Sequence, residues 1–214
     1  MKFDIKKTAE FKATRTPKII ERPRRRVLCI DGFGDPNNDH FEEYVKAMYA
    51  CAYGIKMGYK KMQADSIEGD KRDFVVPPLQ GYWSISEAAQ KAGTWTKDDF
   101  VFRLEIVIPD FVSSDYIQRK IDETVISKPD ILRIKDVYVG DIEAVTSCHI
   151  LHVGPYDTEP ESFKVMNDYL IAQGYDRTSK NHREIYLGDV RKAKPENLKT
   201  ILEVTVQEKM VTGS

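Results

Sequence analysis

Residues 152–175, HVGPYDTEPESFKVMNDYLIAQGY, followed by HREIYLG at 182–188 and LKTILEVTVQ at 198–207, decide the fold. The first block leaves an apolar run through Gly154 and Pro155. Thr158 can then cap a helix, and Pro160 falls in the first turn, where a missing N–H is tolerated. Phe163, Met166 and Leu170 share one helical face, and Gly174 supplies the stop. The two later stretches alternate or run apolar over strand lengths and are separated by the turn DVRKAKPEN. With the apolar run that opens near residue 144, the order is strand, helix, strand, strand.

The same order recurs towards the N-terminus. VLCIDGFG (27–34) reads as a strand. Asp39 as N-cap and Glu42 as capping box then predict a helix whose apolar stripe is Phe41, Val45, Met48 and Ala52, with Gly54 and Gly58 bracketing its end. Residues 59–75, containing Gly69, Asp70, Lys71 and Arg72, read as an excursion. Strands follow at 77–85 and 99–108, separated by a short helix running from Ser86 to Gly93, and a connecting helix spans about Ser114 to Glu123. Gly32 matches Gly154 at an offset of 122, whereas Leu104-Glu105-Ile106 matches Leu202-Glu203-Val204 at an offset of 98, so the extra length lies in the first copy. A single βαββ unit cannot bury its sheet face alone. The expectation is one α+β domain over 24–214, built of tandem pseudo-symmetric repeats at about 24–125 and 144–207. Its sheet should be antiparallel-rich, with helices on one face and a ligand cleft on the other. A polar, basic segment, 1–23, precedes it.

Charge and composition narrow the function classes. Across 214 residues, 33 Lys and Arg against 34 Asp and Glu leave a net charge of −1, which gives no chain-wide electrostatic footprint for nucleic acid. The basic cluster Arg22, Arg24, Arg25 and Arg26 reads as a solvated edge. The polar segment ahead of the first strand is too short for a helix-turn-helix. No apolar stretch approaches the ~20 residues of a membrane span, and MKFDIKKTAEF lacks the apolar core of a signal peptide. Cys29, Cys51 and Cys148 are odd in number and without CxxC spacing, which suits free buried thiols in a reducing, cytoplasmic compartment. His149 and His152 project to opposite faces of a strand and cannot share a metal. The dinucleotide fingerprint, the phosphate loop and the HExxH pattern are all missing. No cofactor and no metal site are expected.

Strand parity supplies candidate residues. Ile185 and Leu187 oppose His182, Glu184 and Tyr186. Leu202, Val204 and Val206 oppose Glu203 and Thr205, and Leu104 and Ile106 oppose Glu105. The apolar sets are expected to lie beneath helices, so Glu105, Glu184 and Glu203 reach the helix-free face, which is either a solvated surface or the floor of a cleft. Tyr82 and Trp83 lie in the strand of the first copy that corresponds to the Glu184 strand. Core packing is the default for Trp83 and for Tyr53.

These motifs resemble a known family. The segments 152–175 and 182–206 are similar to the GyrI-like small-molecule-binding proteins, over about Arg26 to Val206. More narrowly, Tyr49 to Lys56 (YACAYGIK), PPLQGYW (77–83) and HREIYL (182–187) resemble the stand-alone branch associated with hydrolysis of cyclopropanoid, duocarmycin-type toxins. The resemblance implies a cleft between two halves whose principal polar group is the glutamate of the EIYL strand, here Glu184. Tyr53 and Trp83 fall at the matching aromatic positions. The roles implied are Glu184 as general base for water attack on the cyclopropane and Tyr53 as donor to the developing oxyanion. Trp83, Tyr82, Tyr186, Glu105 and Glu203 would contact an aromatic small-molecule ligand. Two other classes stay open: a binder of aromatic cations without chemistry, using cation–π attraction, and a gyrase-inhibitor-like protein-interaction module.

Overall fold

The computed structural model describes residues 2–65, 72–188 and 193–209. Among them the strands are β1 (Lys2–Phe3), β2 (Lys18–Arg22), β3 (Arg25–Phe33), β4 (Asp73–Phe74), β5 (Gln80–Ile85), β6 (Phe100–Val107), β7 (Tyr138–Ile142), β8 (Val145–Val153), β9 (Tyr175–Arg177), β10 (His182–Tyr186) and β11 (Lys199–Glu208). The helices are α1 (Asp39–Asp65), α2 (Glu87–Ala92), α3 (Ser114–Ser127) and α4 (Glu159–Gln173). Of the predicted excursion, Gly69, Asp70 and Lys71 lie outside the described residues. No helix among those described is long and apolar enough to cross a membrane.

The chain forms two compact units, one comprising residues 1–5 and 25–142, the other residues 6–24 and 143–214. Unit 1 carries the antiparallel order β5-β6-β3-β7, with β1 and β4 forming a separate parallel pair. Phe102 sits opposite Trp83 on β5 and Gly32 on β3. Its ring meets Tyr44 of α1 edge-on at 5.3 Å, which fixes the α1 side of this sheet. A Cβ at Gly32 would come within 2.4 Å of the Phe102 ring, so the glycine admits that ring. The α+β class is as expected, and the expected helices and strands occur in their expected order, with β1, β2, β4, β7 and β9 in addition.

The end of α1 differs from expectation. Gly54 and Gly58 do not stop the helix, which continues to Asp65. A Cβ at Gly54 would lie 2.7 Å from Thr124 Oγ1, and one at Gly58 would lie 2.7 Å from the Tyr116 hydroxyl, both on α3. The two glycines are spaced four apart on one face and let the helices approach closely. The short helix behaves as predicted: the Ser86 hydroxyl accepts the Ala89 N–H and Gly93 closes the helix at φ 73°.

Unit 2 carries the order β2-β8-β11-β10, all antiparallel, with β9 on the far end of β11. Its core is Cys148, Ile150, Leu202, Val204 and Val206 of the sheet against Met166 and Leu170 of α4. The predicted apolar faces of β11 and α4 therefore meet. Strand β2 lies within the segment expected to be a solvated preface, and Arg22 is buried there, its Nε 2.8 Å from Glu203 Oε1. The buried carboxylate of Glu203 draws the arginine in, which the local charge run could not reveal.

Candidate functional site

Register corrects the face expected for Glu184. Residues directly opposite in an antiparallel pair share a face. Glu184 pairs with Leu202, and Leu202 with Ile150, so Glu184 lies on the side covered by α4. Ile185 pairs with Ile201 and Arg183 with Glu203, which puts all four on the opposite side. Alternation along each strand holds, but Ile185 of β10 does not share a face with Leu202, Val204 and Val206 of β11. The polar set of β10, His182, Glu184 and Tyr186, is the one that faces the helix.

The turn into α4 brings further groups to these side chains. Gly154 adopts φ 141°, a conformation other residues rarely reach. Its N–H donates to the Leu198 carbonyl at 3.0 Å. His152, on the same face of β8, has Nε2 3.1 Å from the Pro155 carbonyl and Nδ1 2.9 Å from Ser162 Oγ of α4. An Nε2–H donating to the carbonyl leaves Nδ1 to accept from the serine. Thr158 flanks the helix as predicted, but its hydroxyl donates to the Pro155 carbonyl at 2.8 Å instead of capping. These bonds fix the short path between Gly154 and α4, and with it Tyr156 and Glu159.

Glu159, the first residue of α4, is 7% exposed, and its Oε1 has no hydrogen-bond partner. Glu184 is 8% exposed and accepts from His182, with Nε2 to Oε1 at 2.9 Å. One ligating atom from each of Glu159, His182 and Glu184 lies within 4.8 Å of the other two. Burial raises the Glu159 carboxyl well above the ordinary carboxylate range, with the charges of Glu184 and Asp157 adding to it. Tyr156 is raised by burial and then by Glu184 and Glu159, and its ring meets Tyr186 edge-on at 6.2 Å. Phe163 of α4 lies edge-on to His182 at 5.0 Å. The result is a buried pair of carboxylates flanked by aromatic rings. It can take a proton, orient a water or hold a cation.

The other candidates lie elsewhere. Tyr53, on α1 of unit 1, is 54% exposed, with its ring 6.2 Å from that of Tyr49. Trp83 is 6% exposed and packs on Phe41, Phe100 and Phe102 within unit 1. Tyr82 pairs with Arg103, on the face where Arg103 and Tyr138 both bind Asp31. Glu105 is buried on that same face, paired with Gln80. Glu203 is buried in unit 2 between Arg22 and Arg183, the latter at 3.8 Å. It is thus committed to an ion pair. All three cysteines are free and buried, with Cys29 and Cys148 pushed up to about 12 and Cys51 to about 11 by burial, so they are inert as nucleophiles. His149 and His152 do face opposite ways, the first towards Glu203 and the second towards α4.

Sequence reasoning missed Glu159 and Tyr156. The signal available was a glutamate beside a proline at the start of a helix that follows a strand after a five-residue connection, 154–158. Nothing in that pattern alone ties it to a strand some 25 residues later.

Comparison with known proteins agrees with this architecture. No curated protein matches the chain. A hydrolase from Listeria innocua is 31% identical, with a TM-score of 0.79, covering 95% of this chain and 99% of the other. Another solved structure of a hydrolase from Listeria innocua is 32% identical, with a TM-score of 0.81, covering 97% of this chain and 100% of the other. An uncharacterized conserved protein of the same organism, also 32% identical, has a TM-score of 0.80 and covers 95% and 99%. The family model for the GyrI-like small molecule binding domain matches residues 15–207. The strands, helices and matched span leave one assignment: this chain belongs to the GyrI-like small-molecule-binding family.

Proposed function

We propose that this protein hydrolyses electrophilic cyclopropanoid compounds of the duocarmycin type, with Glu184 as the general base. The observation that carries the reading is the Glu184 carboxylate, buried beside α4 and oriented by His182 at 2.9 Å. The similarity to Listeria hydrolases adds support for a hydrolytic activity. In the reaction, Glu184 takes a proton from water as the water oxygen bonds to the ring methylene. The methylene bond to the spiro carbon breaks, and its electron pair moves to the dienone oxygen. That oxygen is finally protonated to a phenol. Such base assistance contributes about 10²- to 10⁴-fold. Tyr53 takes the donor role on the strength of the family resemblance alone. Trp83, packed within unit 1, supports the surface around it. In this reading the protein is a detoxifying, drug-resistance enzyme of the cytoplasm.

A second reading has its own observation. Two buried carboxylates, Glu159 and Glu184, lie with Tyr156 and Tyr186, which suits an aromatic cation held without chemistry. Mass spectrometry of a cyclopropanoid incubated with the protein separates the two: a product heavier by one water, formed with turnover, supports hydrolysis, and unchanged bound ligand supports sequestration. Glu184→Gln is expected to lower turnover by at least about 10²-fold. Wild-type turnover in that variant removes Glu184 from the mechanism, and Tyr53→Phe tests the donor in the same assay.

A further inference from the structure

We propose that Glu159, His182 and Glu184 form a binding site for a divalent transition-metal ion, best matched by Zn²⁺. The inference concerns what occupies this triad and does not depend on the cyclopropane reaction.

Three features lead to it. The donor set is one imidazole nitrogen and two carboxylates, which is the nitrogen and oxygen chemistry that Zn²⁺ accepts, and a fourth position would stay open to water. The donors converge from two elements, the start of α4 and alternate residues of β10, with their ligating atoms within 4.8 Å of one another. A tetrahedral ion with bonds of about 2.0–2.2 Å needs donors about 3.3 Å apart, so rotamer adjustments of roughly an ångström close the triad. The third feature is independent of spacing. Glu159 is more than nine-tenths buried, yet its Oε1 has no partner. An unsatisfied buried carboxylate oxygen is costly and calls for a ligand.

The backbone supports the geometry. His182 and Glu184 are two apart on a strand and so project side by side from one face. Glu159 is held opposite them because the His152 bonds to Ser162 and Pro155 anchor the first turn of α4. His182 and Glu184 bond to each other. An ion would replace that bond with two coordinate bonds and take up the free Glu159 oxygen.

The test uses the full chain, stripped with a chelator that is then removed, and titrated with Zn²⁺ by calorimetry. One ion per chain should bind, and Co²⁺ should give the visible absorption of a low-symmetry site. Glu159→Gln and His182→Ala should each weaken Zn²⁺ binding by at least about 10-fold, while Glu161→Gln, an exposed residue of the same helical turn, should not. Circular dichroism confirms that each variant is folded, and the near-isosteric Glu159→Gln keeps the test valid if His182→Ala does not fold. Absence of Zn²⁺ binding, or equal affinity in wild type and Glu159→Gln, overturns the site. Turnover is measured on the metal-free protein, because a Glu184 ligated to Zn²⁺ could not serve as the base. Zn²⁺ binding with no metal-free turnover leaves this inference standing and removes the proposed reaction, and metal-free turnover without Zn²⁺ binding does the reverse.

Discussion

Gly81 and Glu184 hold the same place in the two repeats, each directly across from the leucine of a Leu-Glu pair, Leu104 in one and Leu202 in the other. Two residues further along, Trp83 faces Phe102 and Tyr186 faces Thr200. Both strands turn this side towards their unit's long helix, yet they use it differently. Unit 1 fills the space with Trp83, Phe102 and Phe41, whose rings lie within 5–6 Å of Trp83. Unit 2 places a histidine, a glutamate and a tyrosine there, and the start of α4 adds Glu159. One backbone plan thus yields an aromatic core in one copy and a buried polar cluster in the other. The difference teaches that the repeat supplies position, and the side chains at these register steps decide between an aromatic and a polar filling.

The sharpest way to break that contrast is to remove the aromatic side of it. Trp83→Ala should cost about 3 to 5 kcal/mol in denaturant unfolding, as for a buried aromatic. A loss below about 1 kcal/mol would mean that the ring is there for a ligand and not for the core. On the other side, Leu202→Ala should cost about 2 to 5 kcal/mol, because Leu202 is fully buried beneath α4. Were it neutral, the register that places Glu184 beside α4 would be wrong. Gly54→Ala should cost about 1 to 3 kcal/mol, since its methyl would collide with Thr124. Stabilisation, as expected when alanine replaces glycine in an open helix, would return Gly54 to an ordinary helical site. The smallest effect concerns the polar face of unit 2. Burial, then Lys18, lowers the His149 pKa below 6.5, so the folded state binds fewer protons than the unfolded one between that lowered value and pH 6.5. Stability should therefore be full above pH 6.5 and fall on acidification through this window. Replacing His149 with Gln should flatten that slope, and an unchanged slope would assign it to other groups.

Much of this was legible in the sequence because it is local. Ser86 and Gly93 bound α2, and Gly174 ends α4 in a left-handed conformation, φ 75°. Cap and stop chemistry operates within a few residues. What was hidden is non-local. Gly54 and Gly58 look like stops until α3 is known to lie against them. Glu184 looks helix-free until β10 is paired with β11, because alternation along a strand says nothing of its register against the next. Glu159 needed both the turn at Gly154 and that register. The family resemblance pointed to Glu184 by motif alone, with no statement about its face, and so does not share the error of the facing argument.

The edge strands bear on how the chain is made. β2 immediately precedes β3 in sequence but pairs with β8, joining Lys18 to His149 and Arg22 to Val145, and β7, which precedes β8, pairs with β3. On a ribosome, unit 1 has its whole sheet once Ile142 has emerged. Residues 18–22, synthesised before β3, must stay unpaired until β8 has emerged over a hundred residues later. Such a wait is where long-range pairing slows folding and exposes a strand edge to other chains. Lys18, Glu21 and Arg22 on that strand keep it charged meanwhile, a guard against aggregation written into the nascent chain.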